Sequence, residues 1–385
     1  MTTANPLIPT RDAAFEAPFG LLARQTIKTM ARGGYIRSGK PIEPTQFQPA
    51  SLDLRLGREA FRVRASFLPG RGRRVVEGLE SLNPERISLE GEGAVLEKGI
   101  VYVAPLIESL ALPAGVSAAA NPKSSTGRLD IFTRLIVDGS DAFDATPAGY
   151  RGSLWAEISP RSFSVRVREG SRLNQLRFRH HEADSAAVAL DAEALRARHA
   201  ASPLVDGELA LRDGLVVHVG LSGRPGEIVG YRAIKNGDVI DVDRPGGYAA
   251  EDFWEPLRAR RDGRLILDPD EFYILASREK MQIPSDLAAE MAPIDPAIGE
   301  FRVHYAGFFD PGFGQSEDGA PSARAVLEVR SRDVPFLLED GQPVGRLVFE
   351  ALADAADELY GETATSNYQG QGLKLSKHFR DFIEA

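Results

Sequence analysis

The densest chemistry in the sequence lies in Lys123-Ser-Ser-Thr-Gly-Arg128, where hydroxyls, a lysine, an arginine and a flexible glycine follow directly on Asn121-Pro122. Hydroxyls and exposed backbone N–H groups suit phosphate oxygens, and an arginine can grip such oxygens through two parallel N–H bonds. The same string also reads as a polar turn in which Ser124 or Ser125 caps a helix. A second group is Asp144-Ala-Thr-Pro-Ala-Gly-Tyr-Arg-Gly152, followed by Glu157. A turn aspartate suits a sugar hydroxyl, and Tyr150 suits stacking or exclusion beside a ribose. Glu157 stands among Leu154, Trp155, Ala156 and Ile158. A carboxylate in that setting is expected to be partly buried with a raised pKa, as a general base near neutral pH requires. The competing reading is a strand glutamate turned outward and paired with an arginine. The third group is the polar, glycine-punctuated tail from Tyr360 to Phe379, which contains Ser366-Asn-Tyr-Gln-Gly-Gln-Gly-Leu-Lys-Leu-Ser376. It reads either as a lid that closes on an anion or as a loose terminus.

The elements that must hold these groups are short strands. Residues 153–158, 163–167 and 325–329 alternate or run apolar for a few positions between Gly, Pro and Asp turns. A helix is predicted over about 20–32, stopped by Gly33-Gly34. Residues 70–74 read as a solvated Gly/Arg loop.

The chain also repeats itself. Tyr102-Val-Ala-Pro-Leu-Ile-Glu-Ser-Leu-Ala-Leu-Pro113 lies on Tyr273-Ile-Leu-Ala-Ser-Arg-Glu-Lys-Met-Gln-Ile-Pro284, and at the same offset Pro122 meets Pro293, Glu157 meets Glu328 and Phe178 meets Phe349. Landmarks kept in one order at one offset mean a duplicated module. The expected division is a first domain at 1–185, a helical linker at 186–212, and a second domain with the tail at 213–385. Only the first copy has the Lys123–Arg128 string; the second has Pro293-Ile-Asp-Pro-Ala-Ile-Gly299 there.

Composition bounds the function. A net charge of −9 over 385 residues argues against broad binding to a nucleic-acid backbone, though not against a single nucleotide. With no cysteine there are no disulfides, thiolate nucleophiles or Cys-ligated zinc. No apolar run approaches the roughly 20 residues that span a bilayer, and no signal peptide is read, so a cytoplasmic protein without membrane contact is expected.

Together these strings resemble the dCTP deaminase branch of the trimeric dUTPase superfamily. The marks are Gln48-Pro-Ala-Ser-Leu-Asp-Leu-Arg-Leu-Gly57, Pro122–Arg128, Gly149-Tyr-Arg-Gly152 with Glu157, Asn174-Gln-Leu-Arg-Phe178, Asp310-Pro-Gly-Phe313, Glu328 and the tail. The resemblance implies a mainly β protein of two tandem dUTPase-like distorted jelly-roll (β-clip) domains with a few short helices. It further implies hydrolytic deamination of dCTP to dUTP, with Mg2+ carried on the triphosphate and no metal held by side chains. Zinc deaminases need cysteine-containing metal sites, so deamination here would be zinc-independent.

By that resemblance Glu157, Ser124 and Arg128 are the catalytic set, Glu157 activating the water and shuttling its proton. Lys123, Ser125, Thr126, Gly127, Asp144, Tyr150, Gln175, Tyr360, Gln371 and Lys374 would bind the nucleotide, and Asp310 and Glu328 are second-copy counterparts. Asn367 stands where the family has a tail lysine, which leaves Lys374 as its substitute. dCTP and dUTP are the implied ligands, dTTP an inhibitor, and a homo-oligomer, either a trimer of double modules or a dimer, the implied assembly. Two other readings stay open: a dUTPase or bifunctional deaminase–dUTPase that releases dUMP and pyrophosphate, and a nucleotide-binding homologue without turnover.

Overall fold

The computed structural model describes residues 16–181, 189–293, 301–304, 307–331, 333–362 and 366–382. The protein is mainly β, and its two copies repeat the same central strand orders. In the first copy Ile131–Val137, Arg151–Pro160, Val101–Ala111, Glu59–Val63 and Glu85–Ser88 pair in that order; in the second, Phe301–His304, Ala323–Ser331, Phe272–Met281, Ile228–Ala233 and Trp254–Arg258 pair in the same order. A second sheet repeats likewise: Val116–Pro122 beside Asn174–His180 and Ser51–Leu54 is matched by Leu287–Pro293 beside Pro343–Ala351 and Leu215–His218. All these pairings are antiparallel, and the central strands Arg151–Pro160, Asn174–His180 and Ala323–Ser331 are buried over most of their length.

The N-terminal helix forms over Arg24–Arg32 and buries Ile27 and Met30; Gly33 caps it, and Gly34 takes the left-handed backbone (φ 75°) that reverses the chain. The 70–74 loop leads into a short helix at Val75–Ser81 that periodicity does not reveal. Within 186–212 a helix runs over Ala192–Ala201, capped by the Asp191 carboxylate on Ala194 N–H. Its buried Leu195, with Leu204 and Val205, packs into the second core, so this otherwise largely exposed helix is anchored to the second domain. Among the described residues no helix is long and apolar enough to cross a membrane.

The copies are locked by charge across their interface. Arg177, fully buried, donates from Nη1 to Ala289 O (2.9 Å) and from Nη2 to Phe309 O (2.9 Å) and Asp310 Oδ1 (3.0 Å), with its guanidinium over the Phe308 ring. Arg179 chelates Glu350 in a fork-to-fork pair. Arg330 of the second copy binds Asp130 of the first, beside Ser162. The first core also takes in Trp254, Phe272, Ile274, Val326 and Phe379 from the second copy. The two modules therefore form one packed body.

Candidate active site

Pro122 ends its strand because it has no N–H to offer the ladder. The chain then makes one helical turn, Ser124–Gly127, with Lys123 extended at its start and Arg128 closing it through N–H bonds to Ser124 O and Thr126 O. Leu129 anchors the turn in the core, and Asp130 follows in the left-handed region (φ 54°), its carboxylate held by Ser162 and Arg330. This bracing projects Ser124 and Arg128 into a cavity of about 50 Å3, lined also by Asp310, Phe308, Val326, Glu328, Tyr360, Tyr368 and Gln371. The space is of the order of one or two water molecules.

Arg128 is almost wholly buried, and nearly every group that holds it comes from the second copy. Nη1 donates to Lys374 O (3.1 Å), Nη2 donates to Gln371 Oε1 (2.9 Å), and the guanidinium lies 3.8 Å from the centroid of the Tyr368 ring. Its Nε stands 3.8 Å from Glu328 Oε1, too far for a direct hydrogen bond, and this N–H has no partner. Burial pushes the Glu328 carboxyl up to about 8, with Arg128 opposing the rise. Burial likewise raises Asp310, which Arg177 partly offsets, and the Tyr360 hydroxyl.

A cleft of about 640 Å3 adjoins this cavity and shares Ser124, Phe308, Asp310, Tyr360 and Tyr368 with it. Lys123, Ser125, Thr126, Gln175, Arg172 and Lys377 line it. Lys123 Nζ is 2.5 Å from Asp53 Oδ2, and Arg172 is paired with Glu43. Burial and the neighbouring Lys123 hold Lys377 below the usual ammonium range. Ser376 Oγ donates to Ser125 O (2.9 Å) and meets His378 Nδ1 at 2.9 Å; burial pushes that imidazole down to about 4. The tail is thereby seated on the Ser124–Gly127 turn, and Phe379 packs among Tyr248, Phe253 and Trp254.

Three expected site members lie elsewhere. Glu157 does not face Arg128: it is cross-strand from Arg134, which donates to its Oε1 from Nε (3.1 Å) and Nη2 (2.7 Å). Phe143 covers that guanidinium at 3.4 Å, and Glu157 Oε2 is buried without a hydrogen bond. The arginine pairing of the competing reading is thus present, but Glu157 is buried rather than turned outward. Asp144 accepts from Leu135 N–H (2.7 Å) beside the same pair, and burial raises it to about 7. The strand pairings put Asp310 in register with Pro147 rather than with Asp144, so the two aspartates are not counterparts. Tyr150 spends its hydroxyl within its own turn, donating to Ser153 O (2.7 Å) and accepting from Asp138 N–H (3.2 Å).

Lys374 meets the site only through its backbone. Its carbonyl holds Arg128 while the residue itself is exposed, and the tail lysine that reaches the cleft is Lys377. Tyr368, Lys377 and Arg177 escaped sequence reasoning. The first two lie inside the recognised tail, but which side chains turn inward depends on how the tail docks. The second-copy segment at 294–300 lies outside the described residues.

The doubled β fold, with a desolvated pocket that joins a hydroxyl, an arginine and a buried carboxyl across two copies, defines a two-module β protein with a shared polar site. Comparison with known proteins narrows it. Family models of the 2'-deoxycytidine 5'-triphosphate deaminase N-terminal and C-terminal domains match residues 18–182 and 191–379, and the chain belongs to the dCTP deaminase family. The crystal structure of 2'-deoxycytidine 5'-triphosphate deaminase from Agrobacterium tumefaciens is similar with 51% identity and a TM-score of 0.82, over 87% of this chain and 99% of that one. Proteins named "dCTP deaminase, dUMP-forming" are more distant. The one from Parafrankia sp. is 31% identical over 140 residues (35% of this chain, 66% of the relative), and that from Leifsonia xyli is 32% identical over 126 residues (31% and 59%). The chain thus matches less than two thirds of the length of these curated relatives.

Proposed function

We propose that this chain deaminates dCTP hydrolytically, with the chemistry performed where Ser124 and Arg128 of the first copy meet Glu328 of the second. The observation that carries this reading is a buried carboxyl raised to about 8, set 3.8 Å from an arginine whose Nε–H is unused. A base titrating near the working pH can both take and return a proton. The Glu328 carboxylate takes a proton from water and passes it to N3 as hydroxide adds to C4 of the cytosine. The same group then carries the new hydroxyl's proton to the amine; the C4–N bond breaks, leaving a carbonyl and ammonia. Ser124 and the free Arg128 N–H are the donors for the oxygen on which charge develops.

The adjoining cleft suits the triphosphate, with Lys123, Arg172 and Lys377 as its cations and Ser125 and Thr126 on the turn. Mg2+ brought by the nucleotide fits the oxygen donors there: Asp53 lines the cleft with a buried, unpartnered Oδ1. No group of three or more potential metal ligands is found among the described residues, so phosphate oxygens would supply most of the coordination. The metal would neutralise phosphate charge, while the side chains position the base. Partners proposed on the same footing are dCTP, dUTP and dTTP, and further copies of the chain.

The product proposed is dUTP. A second reading, release of dUMP and pyrophosphate, has in its favour the "dUMP-forming" name of the curated relatives. Incubation with dCTP and Mg2+, following ammonia and separating nucleotides by anion exchange, distinguishes them. Ammonia with dUTP supports the first and ammonia with dUMP and pyrophosphate the second. Cleavage of dUTP with no ammonia from dCTP rejects deamination altogether.

A further inference from the structure

We propose that Tyr368 is a positioning residue: docking of the tail stacks its ring on Arg128 and so aims the Arg128 Nε–H at Glu328, making the catalytic arginine complete only when the tail is seated. The inference rests on the site reading above and goes beyond it, because it gives the tail a part in the chemistry besides enclosure.

Arg128 is contributed by the first copy, yet none of the three contacts that orient its guanidinium comes from there. The Tyr368 ring packs against its face, and Gln371 Oε1 and Lys374 O accept from its two terminal nitrogens. Those hydrogen bonds hold both terminal nitrogens and leave Nε, on the side of Glu328, as the guanidinium nitrogen without a hydrogen-bond partner. A guanidinium is planar, so a ring on its face sets the plane in which all its N–H groups point.

Tyr368 is itself fixed from both sides. Its hydroxyl accepts from Lys377 N–H (3.1 Å), and its own N–H donates to the Tyr360 hydroxyl (3.2 Å). Gln371 is tied to the strand that carries Glu328, donating from Nε2 to Arg324 O (3.0 Å). The arginine and the carboxyl are thereby referred to one frame.

The charged and titratable groups around Glu328 are few among the described residues. Arg128 approaches from the turn, Asp310 from the cavity wall, and Tyr360 and Tyr368 from the tail. Its cross-strand positions are Ile274 and His304, and Arg330 on its own strand is turned to Asp130. Of these, Arg128 is the cation that favours Glu328 ionisation. Loosening the stack therefore predicts a Glu328 that titrates higher as well as a slower enzyme.

The test compares Tyr368→Phe, Tyr368→Trp and Tyr368→Leu with the native chain, each first checked for native circular dichroism. The expected result for Y368L is a fall in kcat of roughly 10- to 100-fold with KM changed by no more than a few fold, and an alkaline shift of the ionisation that governs kcat/KM. Y368F and Y368W, which keep a π face, should restore most of the rate. A loss confined to KM, an unmoved pH limb, or equal losses in Y368F and Y368L would overturn the proposal. 13C NMR of carboxyl-labelled glutamates, with Glu328 assigned through Glu328→Gln, reads the same titration without turnover. If the native chain fails to deaminate dCTP, the functional reading falls, while an unmoved Glu328 titration in Y368L still decides against positioning.

Discussion

Replacing Glu328 by glutamine preserves the volume of the side chain and removes its ionisation, so stability and rate should change in opposite directions. Burial holds the carboxyl at about 8 in the folded chain, against an ordinary value of 4.5. The folded state thus binds this proton more tightly than the unfolded state. Its contribution to stability is fully present below about pH 4.5 and is lost as pH rises through about 8. A gap of this size corresponds to at most about 5 kcal/mol, and water entry and relaxation on ionisation reduce it, so a gain of roughly 2–3 kcal/mol at pH 9 is expected for Glu328→Gln. The attraction of Arg128 is already contained in that shift. At pH 5, where Glu328 is protonated and glutamine is its near-isostere, the two proteins should melt together. Thermal unfolding from pH 5 to pH 9, read as the difference in Tm, measures the effect. In the same preparations ammonia release should fall roughly 100- to 10,000-fold, as loss of a general base does, while the native rate should climb with pH up to about 8. Glu157→Gln should keep most of the native rate. A Tm difference that does not grow with pH, or equal loss of activity in the two glutamine variants, would refute the reasoning.

Glu157→Gln should instead destabilise by roughly 1–3 kcal/mol, less than a fully buried pair, because Arg134 keeps some access to water; chemical denaturation at pH 7 checks it. Lys377→Gln should raise KM for dCTP roughly tenfold or more through loss of a charge-assisted contact, with little effect on binding of dCMP, which calorimetry can compare. Phe379→Ala removes a ring packed against Tyr248, Phe253 and Trp254. It should cost roughly 3–5 kcal/mol and lower kcat as the tail lifts from Arg128. Tyr150→Phe should lose about 1–2 kcal/mol for the two bonds of its hydroxyl yet leave KM for dCTP unchanged; a raised KM would return Tyr150 to the nucleotide site.

Much of this protein is decided along the chain. Strand-length apolar runs between Gly, Pro and Asp turns specify β structure, and the offset that lays Tyr102 on Tyr273 reappears as matching sheets around Val101–Ala111 and Phe272–Met281. The turn after Pro122 is equally local, since proline ends the ladder and the next four residues close a helical turn on themselves. The tail's polar, glycine-rich composition sets the segment apart, but Gln371 within it is picked out through the family resemblance. Which glutamate meets that turn is a different kind of question. Glu157 and Glu328 sit on corresponding strands, so duplication makes them look alike to any reading of local pattern. They are separated by what packs against them: Arg134 from the adjoining strand in one copy, and Arg128 from the other copy in the second. Such contacts join residues about 200 positions apart, as in Asp130 with Arg330 and Arg128 with Glu328. They depend on how two folded modules dock, and so do the burial that raises Glu328 and the choice of Lys377 over Lys374. Chain pattern sets strand, turn and copy number; the desolvated pairing of charges across the copies exists only after both have folded.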